Sequence, residues 1–319
     1  MKVEVVIPVC HRPAELRRLL NALQNQSHRD FAVCVVDNHP LFSSEEIVRE
    51  CSERLNIRRL FEERQGPGPA RNWGAASSNA DVFMFVDSDC LPSPHYIQNL
   101  LDLFRDTAID IAGGPEGLYP DSTSLQKGID FAMTSFFSTG GLRGGPLRLT
   151  RFYPRGGNMA IRSSVFKRLG GFSHLRYGED IELGLRAEDK GYNIVYSKDL
   201  LSLHARRATY ADFLKQVYHA GYSKSQIRAH HEKGIKWIHF MPLVLSVTLL
   251  LSAVTSLWAL LAVLALPVTL GIASSFHHHS LRAGAHAFLA FFVQTFGFAA
   301  GFVYGLLKKT KASQNTVQP

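Results

Sequence analysis

The sequence predicts an α/β fold built on a parallel sheet, followed by an apolar helical region long enough to meet a membrane. Two observations carry that prediction. Three continuous apolar runs, "VEVVIPV" (3–9), "FAVCVVD" (31–37) and "DVFMFVD" (81–87), read as strands buried on both faces, as parallel sheets require. From Phe240 to Ser275 the chain then carries no charged residue.

Between the first two runs, "AELRRLLNALQNQ" places leucines at 16, 19, 20 and 23, the spacing of one helix face. Strand, helix and strand in roughly thirty residues make a βαβ unit. Ligands of such sheets gather beyond the carboxyl ends of the strands. Asp37 ends the second run, and Asp87 and Asp89 end the third, so three carboxylates are expected to converge on one edge. Residues two apart in extended chain point to the same side. Asp87 and Asp89 are therefore expected to face one ion, and paired hard oxygens suit Mg2+ or Mn2+. Capping of the helix "SPHYIQNLLDLF" competes with that reading; the place of the pair after "VFMFV", with Asp37 upstream, outweighs it.

Three further segments add chemistry. "GPGPARNWG" is a stiff loop opening a helix, and a helix N-terminus carrying Arg71 would attract a diphosphate, with a surface helix arginine as the competing reading. "YPRGGNMAIR" (153–162) puts Gly156 and Gly157 before Asn158, where backbone can approach a sugar closely, with a plain tight turn as the competing explanation. In "YGEDIELGLRAEDKGY", Glu179 and Asp180 precede Leu183 and Leu185 and stand at a helix start, where compensation of the helix dipole is the competing role.

Composition narrows the class. The 319 residues are 46% hydrophobic with net charge +8. No aromatic-basic RNA-binding motif accompanies that charge, so anionic lipid and sugar diphosphates, rather than nucleic acid, are the expected partners. Cys10, Cys34, Cys51 and Cys90 show no CxxC spacing, which points to reduced thiols rather than zinc or disulfides. "MKVEVVIPVC" lacks the h-region of a signal peptide, and the front of the chain is expected to fold in the cytosol.

Six motifs in order, "VVIPVCHRPAELRRLLNAL", "VVDN", "GPGPARNWG", "FVDSD", "GGNMAIRSSVFKRLGGF" and "GEDIELGLRAEDKGYNI", resemble the inverting, A-fold glycosyltransferases of family 2 over roughly residues 1–225. The resemblance implies a Rossmann-like, nucleotide-sugar-binding domain. It implies that Asp37 hydrogen-bonds the base and that Pro8 sits in the first strand-end loop of the same pocket. Arg71 would lie near the donor, Gly157 and Asn158 near the sugar, and Asp87 on ribose or metal. Asp89 would contact Mn2+ or Mg2+ directly, and His204, in "LSLHARR", would approach the metal or diphosphate. Asp180 would take the proton of the acceptor hydroxyl while Glu179 positions sugar or acceptor. Where the family often carries an aromatic two residues after the proline, this chain has Cys10.

A single helix over 240–275 would reach about 50 Å, well beyond a hydrocarbon core of roughly 30 Å. Two helices meeting near "SAVTS" fit better, and "AGAHAFLAFFVQTFGFAAGFVYGLL" (283–307) is a third candidate whose Gly297, Gly301 and Gly305 form a packing face. Arg228, Lys233 and Lys236 before the first segment place the catalytic side in the cytosol, yet Lys308, Lys309 and Lys311 after the last one favour the cytosol too. Three crossings would put one of these groups outside, so a re-entrant or interfacial segment stays open. "SFHHHSLR" (275–282) reads as an interhelical loop, and 206–234 as an amphipathic helix at the headgroup layer. The family's polymerising synthases carry QxxRW where this chain has "QVYHA", which argues for transfer of a single sugar.

The expected organisation is a catalytic domain over 1–225, then an interfacial helix and C-terminal transmembrane helices over 226–319. This order is similar to membrane-anchored bacterial exopolysaccharide glycosyltransferases of the succinoglycan type. The expectation is a multi-pass cell-membrane enzyme, catalytic side cytoplasmic, moving a sugar from a nucleotide-sugar, UDP-linked by preference, to a lipid-linked or cell-surface glycan. A sugar nucleotidyltransferase would want a glycine-rich phosphate loop after the first strand, and "PVCHRPAE" has none. A membrane adaptor would have no need of Asp37, Asp89 and Asp180 together.

Overall fold

A computed structural model describes residues 1–139, 151–231 and 234–308; Lys233, Lys309 and Lys311 lie outside them. Along the chain run β1 (Val3–Val9), α1 (Pro13–Gln24), β2 (Ala32–Asp37), α2 (Glu45–Cys51), β3 (Asn56–Phe61), α3 (Pro67–Ala76), β4 (Val82–Phe85) and β5 (Cys90–Pro92). There follow α4 (Tyr96–Leu103), β6 (Ile111–Gly113), β7 (Glu116–Leu118), α5 (Ser124–Thr134), α6 (Phe136–Thr139), β8 (Met159–Arg162), α7 (Ser163–Leu169) and α8 (Glu179–Asp189). The rest comprises β9 (Ile194–Tyr196), β10 (Ser202–His204), α9 (Tyr210–His230), α10 (Met241–Thr255), α11 (Leu257–His278) and α12 (Leu281–Leu307).

The described residues form two compact units. The first takes those of Met1–Pro120 and Arg143–Ala205, the second those of Asp121–Leu142 and Arg206–Pro319. The second unit thus begins before residue 226 and draws in α5 and α6.

In the first unit a seven-stranded sheet has the order β3-β2-β1-β4-β8-β6-β9. β1 pairs in parallel with β2 on one side and β4 on the other, and β8 runs antiparallel to both its neighbours. Alternation along the strands feeds two cores. Val5, Ile7, Val33, Val35 and Met84 meet the leucines of α1 on one face. Val6, Cys34, Val36, Phe83 and Phe85 meet α3, α7 and α8 on the other. The chain reverses its winding between β1 and β4, which opens a crevice at their carboxyl ends. A second sheet, β5-β10-β7, sits beside that edge and pairs Cys90 with His204.

Pro8 lies inside β1, opposite Val36 of β2, rather than in the loop after it. Val9 accepts from Asn38 on the β2 side, whereas Val6 accepts from Val86 on the β4 side. The missing N–H of Pro8 therefore points where β4 has already ended, so no ladder bond is lost.

The second unit is helical. Its apolar core joins Ile129 and Met133 of α5, Phe213 and Val217 of α9, Leu270 of α11, and Ala290 and Phe291 of α12. Among the described residues three helical stretches, Trp237–Thr255, Leu257–His278 and Leu281–Leu307, are long and apolar enough to cross a membrane. The break expected near "SAVTS" falls at Ser256, whose extended backbone ends α10 and whose hydroxyl caps α11. His277 and His278 form the last turn of α11 rather than a loop, and the chain turns at His279, a left-handed residue.

Gly74 faces the sheet, where an added Cβ would lie 2.5 Å from Val6 Cγ1 and 3.2 Å from Val36 Cγ2. Gly74→Ala is expected to destabilise the first unit by about 1–3 kcal/mol through overpacking, read as a lower denaturation midpoint at unchanged slope.

Candidate active site

Each strand of the central edge delivers one loop. After β1 comes Cys10–His11–Arg12, with His11 at φ 54°, a left-handed conformation uncommon outside glycine. This loop spans the edge in both directions. The His11 ring lies 5.6 Å from His39 and 5.9 Å from Phe42, beyond β2, while Arg12 pairs with Asp89, beyond β4.

Asp37 is fully buried at the end of β2. Its Oδ2 accepts from the Ser44 N–H at 3.0 Å and from Arg59 Nε at 2.6 Å. Its Oδ1 is buried with no hydrogen-bond partner. Asp37 therefore shapes the loop after β2 and does not join Asp87 and Asp89 in one carboxylate cluster. With β1 between β2 and β4, the two strand ends stand about 10 Å apart at the usual strand spacing.

The aspartate pair also departs from the expectation of a common face. β4 ends at Phe85, and the Cys90 N–H donates to the Asp87 carbonyl at 2.9 Å, closing a turn through Ser88 and Asp89. Extended alternation does not apply inside a turn, and the two carboxylates part. Asp87 accepts from Arg71 at 2.6 Å, whereas Asp89 faces Arg12 and His204.

Arg71 is the hub of the first branch. It sits in the second turn of α3, 2% exposed, and donates to Asp87 through one terminal nitrogen and to Glu179 Oε1 at 2.8 Å through the other. Phe172 covers it, 5.2 Å from the guanidinium carbon to the ring centre. The glycine pair makes room: a Cβ on Gly156 would come within 2.6 Å of the guanidinium, and one on Gly157 within 2.8 Å of Asp87 Oδ2. Burial alone would disfavour the cation, but Asp87 and Glu179 outweigh it and hold Arg71 firmly charged. With both terminal nitrogens engaged, Arg71 acts as an internal counter-ion rather than the open diphosphate ligand that its place near a helix start suggested.

Glu179 and Asp180 open α8, as expected, behind Gly178 at φ 81°. Burial and then the neighbouring Asp180 push Glu179 up to about 7, against the pull of Arg71. Asp180 is only partly buried, and its two oxygens accept from the Gly156 N–H at 3.1 Å and the Ile181 N–H at 2.7 Å. Asn158 is committed elsewhere. Its oxygen accepts from Tyr96 Oη at 2.5 Å and its amide reaches the carbonyls of Pro115 and Leu200, so it ties structural segments together and has no free polar atom for a sugar.

The second branch forms where β5 pairs with β10. His204 Nε2 lies 3.4 Å from Asp89 Oδ1, and Nδ1 lies 3.7 Å from Glu116 of β7. Burial pulls the imidazole pKa down, but Asp89 and Glu116 more than reverse this and push it up to about 9. Burial likewise opposes ionisation of Asp89, yet His204 and Arg12 hold its carboxyl well below the usual range. Donor atoms of Asp89, Cys90 and His204 all lie within 4.8 Å of one another. An oxygen and an imidazole nitrogen this close fit a divalent ion of the manganese type. Asp87 is not in the group, because Arg71 holds it. Arg12 and Glu116 escaped the sequence reading; a basic residue directly after the first strand, facing an acidic edge, was the available signal for Arg12, and nothing marked Glu116.

A family profile described as glycosyl transferase family 2 matches residues 4–170, more than half of the chain. This chain belongs to that family. Among named relatives, glycosyltransferase AglE of Haloferax volcanii is 28% identical over 231 residues, 70% of this chain and 73% of the relative. The pre-mycofactocin glycosyltransferase of Mycobacterium tuberculosis is 29% identical over 241 residues, 72% of this chain but 48% of the relative, so the match spans about half of that protein. The fold is similar to that of the mannosyltransferase PcManGT from Pyrobaculum calidifontis, solved in complex with GDP-Man and Mn2+. That match has a TM-score of 0.60 and 17% identity over 96% of this chain and 87% of the other. It also resembles S. aureus TarS 1–349, solved in complex with UDP-GlcNAc, at TM-score 0.51 and 17% identity, covering 92% and 90%. The family 2 glycosyltransferase is thus an enzyme with the A-type fold and three apolar helices behind it.

Arg71→Met leaves buried Glu179 and half-buried Asp87 without their shared cation. We expect a loss of about 3–5 kcal/mol, the cost of breaking a buried ion pair from one side, measured as a fall in denaturation midpoint. Arg71→Lys, which cannot bridge two carboxylates with a planar fork, is expected to fall between the two.

Proposed function

We propose that this glycosyltransferase is attached to the cell membrane with its catalytic unit on the cytoplasmic side. It moves one sugar from a nucleoside-diphosphate sugar, by preference UDP-linked, to a lipid-linked or cell-surface glycan, inverting the anomeric centre. The observation that carries this reading is the Arg71 bridge. It fixes Asp87, at the tip of β4, to Glu179, at the start of the helix that presents Asp180. On this reading Asp87 belongs to the donor side of the crevice and Glu179 and Asp180 to the acceptor side.

Asp37, with one buried oxygen unpartnered, and the rings of His11, His39 and Phe42 line the end of the crevice assigned to the base. Asp87, beside Gly157, is assigned to the ribose or sugar side. Asp89 and His204 would hold the divalent metal, Mn2+ or Mg2+; the nitrogen donor favours Mn2+. When bound, that metal supplies Lewis-acid neutralisation of charge on the departing diphosphate. Asp180, oriented by the Gly156 N–H, accepts the proton of the acceptor hydroxyl as that hydroxyl's oxygen bonds to the anomeric carbon. The bond from that carbon to the diphosphate oxygen breaks in the same displacement, and the nucleoside diphosphate leaves with the electron pair. Glu179, buried against Arg71, positions rather than attacks, so no covalent glycosyl intermediate is needed of the kind retaining glycosidases form.

The test is a transfer assay with the full-length protein, labelled UDP-sugars, Mn2+ and native lipid extract. Label in lipid supports the reading; label in pyrophosphate exchange would assign a nucleotidyltransferase, and neither would leave an adaptor. Asp180→Asn should lower transfer about 10²–10⁴-fold, the usual worth of a general base, with donor affinity near that of the parent. Equal loss of both would make Asp180 structural. Asp89→Asn should abolish metal-dependent turnover in a folded protein; full retained activity would reject its metal role.

A further inference from the structure

The three apolar helices of the second unit keep different company. α9 runs alongside the second half of α12 in the same direction. Leu214 and Val217 meet Gly297, Tyr218 meets Gly301, and Ser225 meets Gly305, so the contact advances together along both helices. The approach is close: a Cβ on Gly301 would fall 2.0 Å from the Tyr218 carbonyl oxygen. The first half of α12 packs on α5, where a Cβ on Gly128 would fall 2.6 Å from the Ala287 nitrogen. Both partner helices are polar. α9 carries Lys215, Lys224 and Arg228, with the Lys215 side chain 74% exposed, and α5 carries Lys127 and Asp130.

If α12 crossed a bilayer, α9 and α5 would be drawn in at the same depth, bringing exposed Lys215 and Arg228 with them, whereas Asp130 is paired with Arg206. Each such charge is costly in hydrocarbon unless paired inside a bundle. α10 and α11 are less escorted, although Leu270 joins the same core and the end of α11 packs on Phe131 of α5 through His277. They carry no Asp, Glu, Lys or Arg from Met241 to Phe276 and expose Leu250, Val254, Leu257 and Trp258 at 62–81%. Their hydroxyls at Ser246, Thr248 and Thr255 bond back to their own helix carbonyls, as a lipid surrounding favours. The share of the apolar window buried against protein is 44% in α12, against 17% and 22% in the other two. The large apolar side chains that α12 still exposes are Leu281, Leu289, Phe296, Tyr304, Leu306 and Leu307, on one side of the helix.

We propose that α12 lies in the plane of the membrane surface, its exposed side against the acyl chains and its glycine face on α9. Among the described residues, the α10–α11 hairpin is then the only element that enters the bilayer. The inference rests on the membrane attachment proposed above and refines it. It also places Arg228, Lys236 and Lys308 on one side, in accord with the preference of basic residues for the cytosol, which three crossings would violate.

The test uses the full-length chain with one epitope at each terminus in sealed vesicles of both orientations. Proteolysis is expected to remove both epitopes from the same vesicle population; removal from opposite populations would overturn the inference. Depth is read with an environment-sensitive dye at Leu289→Cys, Phe296→Cys or Tyr304→Cys in a Cys10→Ser background, quenched by lipids labelled at graded depths. Equal shallow quenching at all three positions supports an in-plane helix. A maximum of deep quenching at residue 296 would mean that α12 spans. Release of the chain by alkaline carbonate would sink membrane attachment itself, and the inference with it.

Discussion

A guanidinium enclosed among carboxylates is the constraint on which the rest of the catalytic unit depends. Arg71 is shut between Phe172 and the backbone of Gly156, where water cannot solvate its charge, so it must find anions inside the protein. Asp87 and Glu179 supply them from segments 92 residues apart in sequence. That pairing closes the α3–β4 side of the crevice onto α8. It also explains why two glycines stand at 156 and 157, since any side chain there would displace the guanidinium or its partner.

The same pairing sets the division of labour in the aspartate pair. Once Asp87 is spent on Arg71, Asp89 is left to the other branch, where β5–β10 pairing brings His204 to it. Two neighbouring carboxylates thus have opposite surroundings: one neutralised by an internal arginine, the other facing an imidazole and the loop arginine Arg12. Such contrast gives acid groups only two residues apart different electrostatic surroundings.

Much of this was legible from residue order, and what was not has specific physical causes. Continuous apolar runs identified β1, β2 and β4 because those strands are covered on both faces. β3, "NIRRLF", escaped because it is an edge strand whose Arg58 and Arg59 reach inward to Glu4 and Asp37. β8 is only four residues long and antiparallel, so it carried no pattern of its own. Helix α8 and its two acids were legible because leucine spacing and charge at a helix start are local signals. The turn at 87–90 was not, because the alternation of an extended strand was carried two residues too far. Asn158 looked like a sugar contact from its glycine neighbours, yet its amide satisfies carbonyls that only the folded chain brings near. In the second unit, hydropathy found the three apolar helices, but it ignores neighbours and so treated α12 like α10 and α11.

The most direct test of this division is anomalous scattering at the manganese edge from crystals of the full chain grown with Mn2+ and UDP. The account predicts a peak within ligand distance of Asp89 and His204, with Asp87 still bonded to Arg71. A peak coordinated by Asp87 with Arg71 swung away, or one beside Asp37, would contradict it.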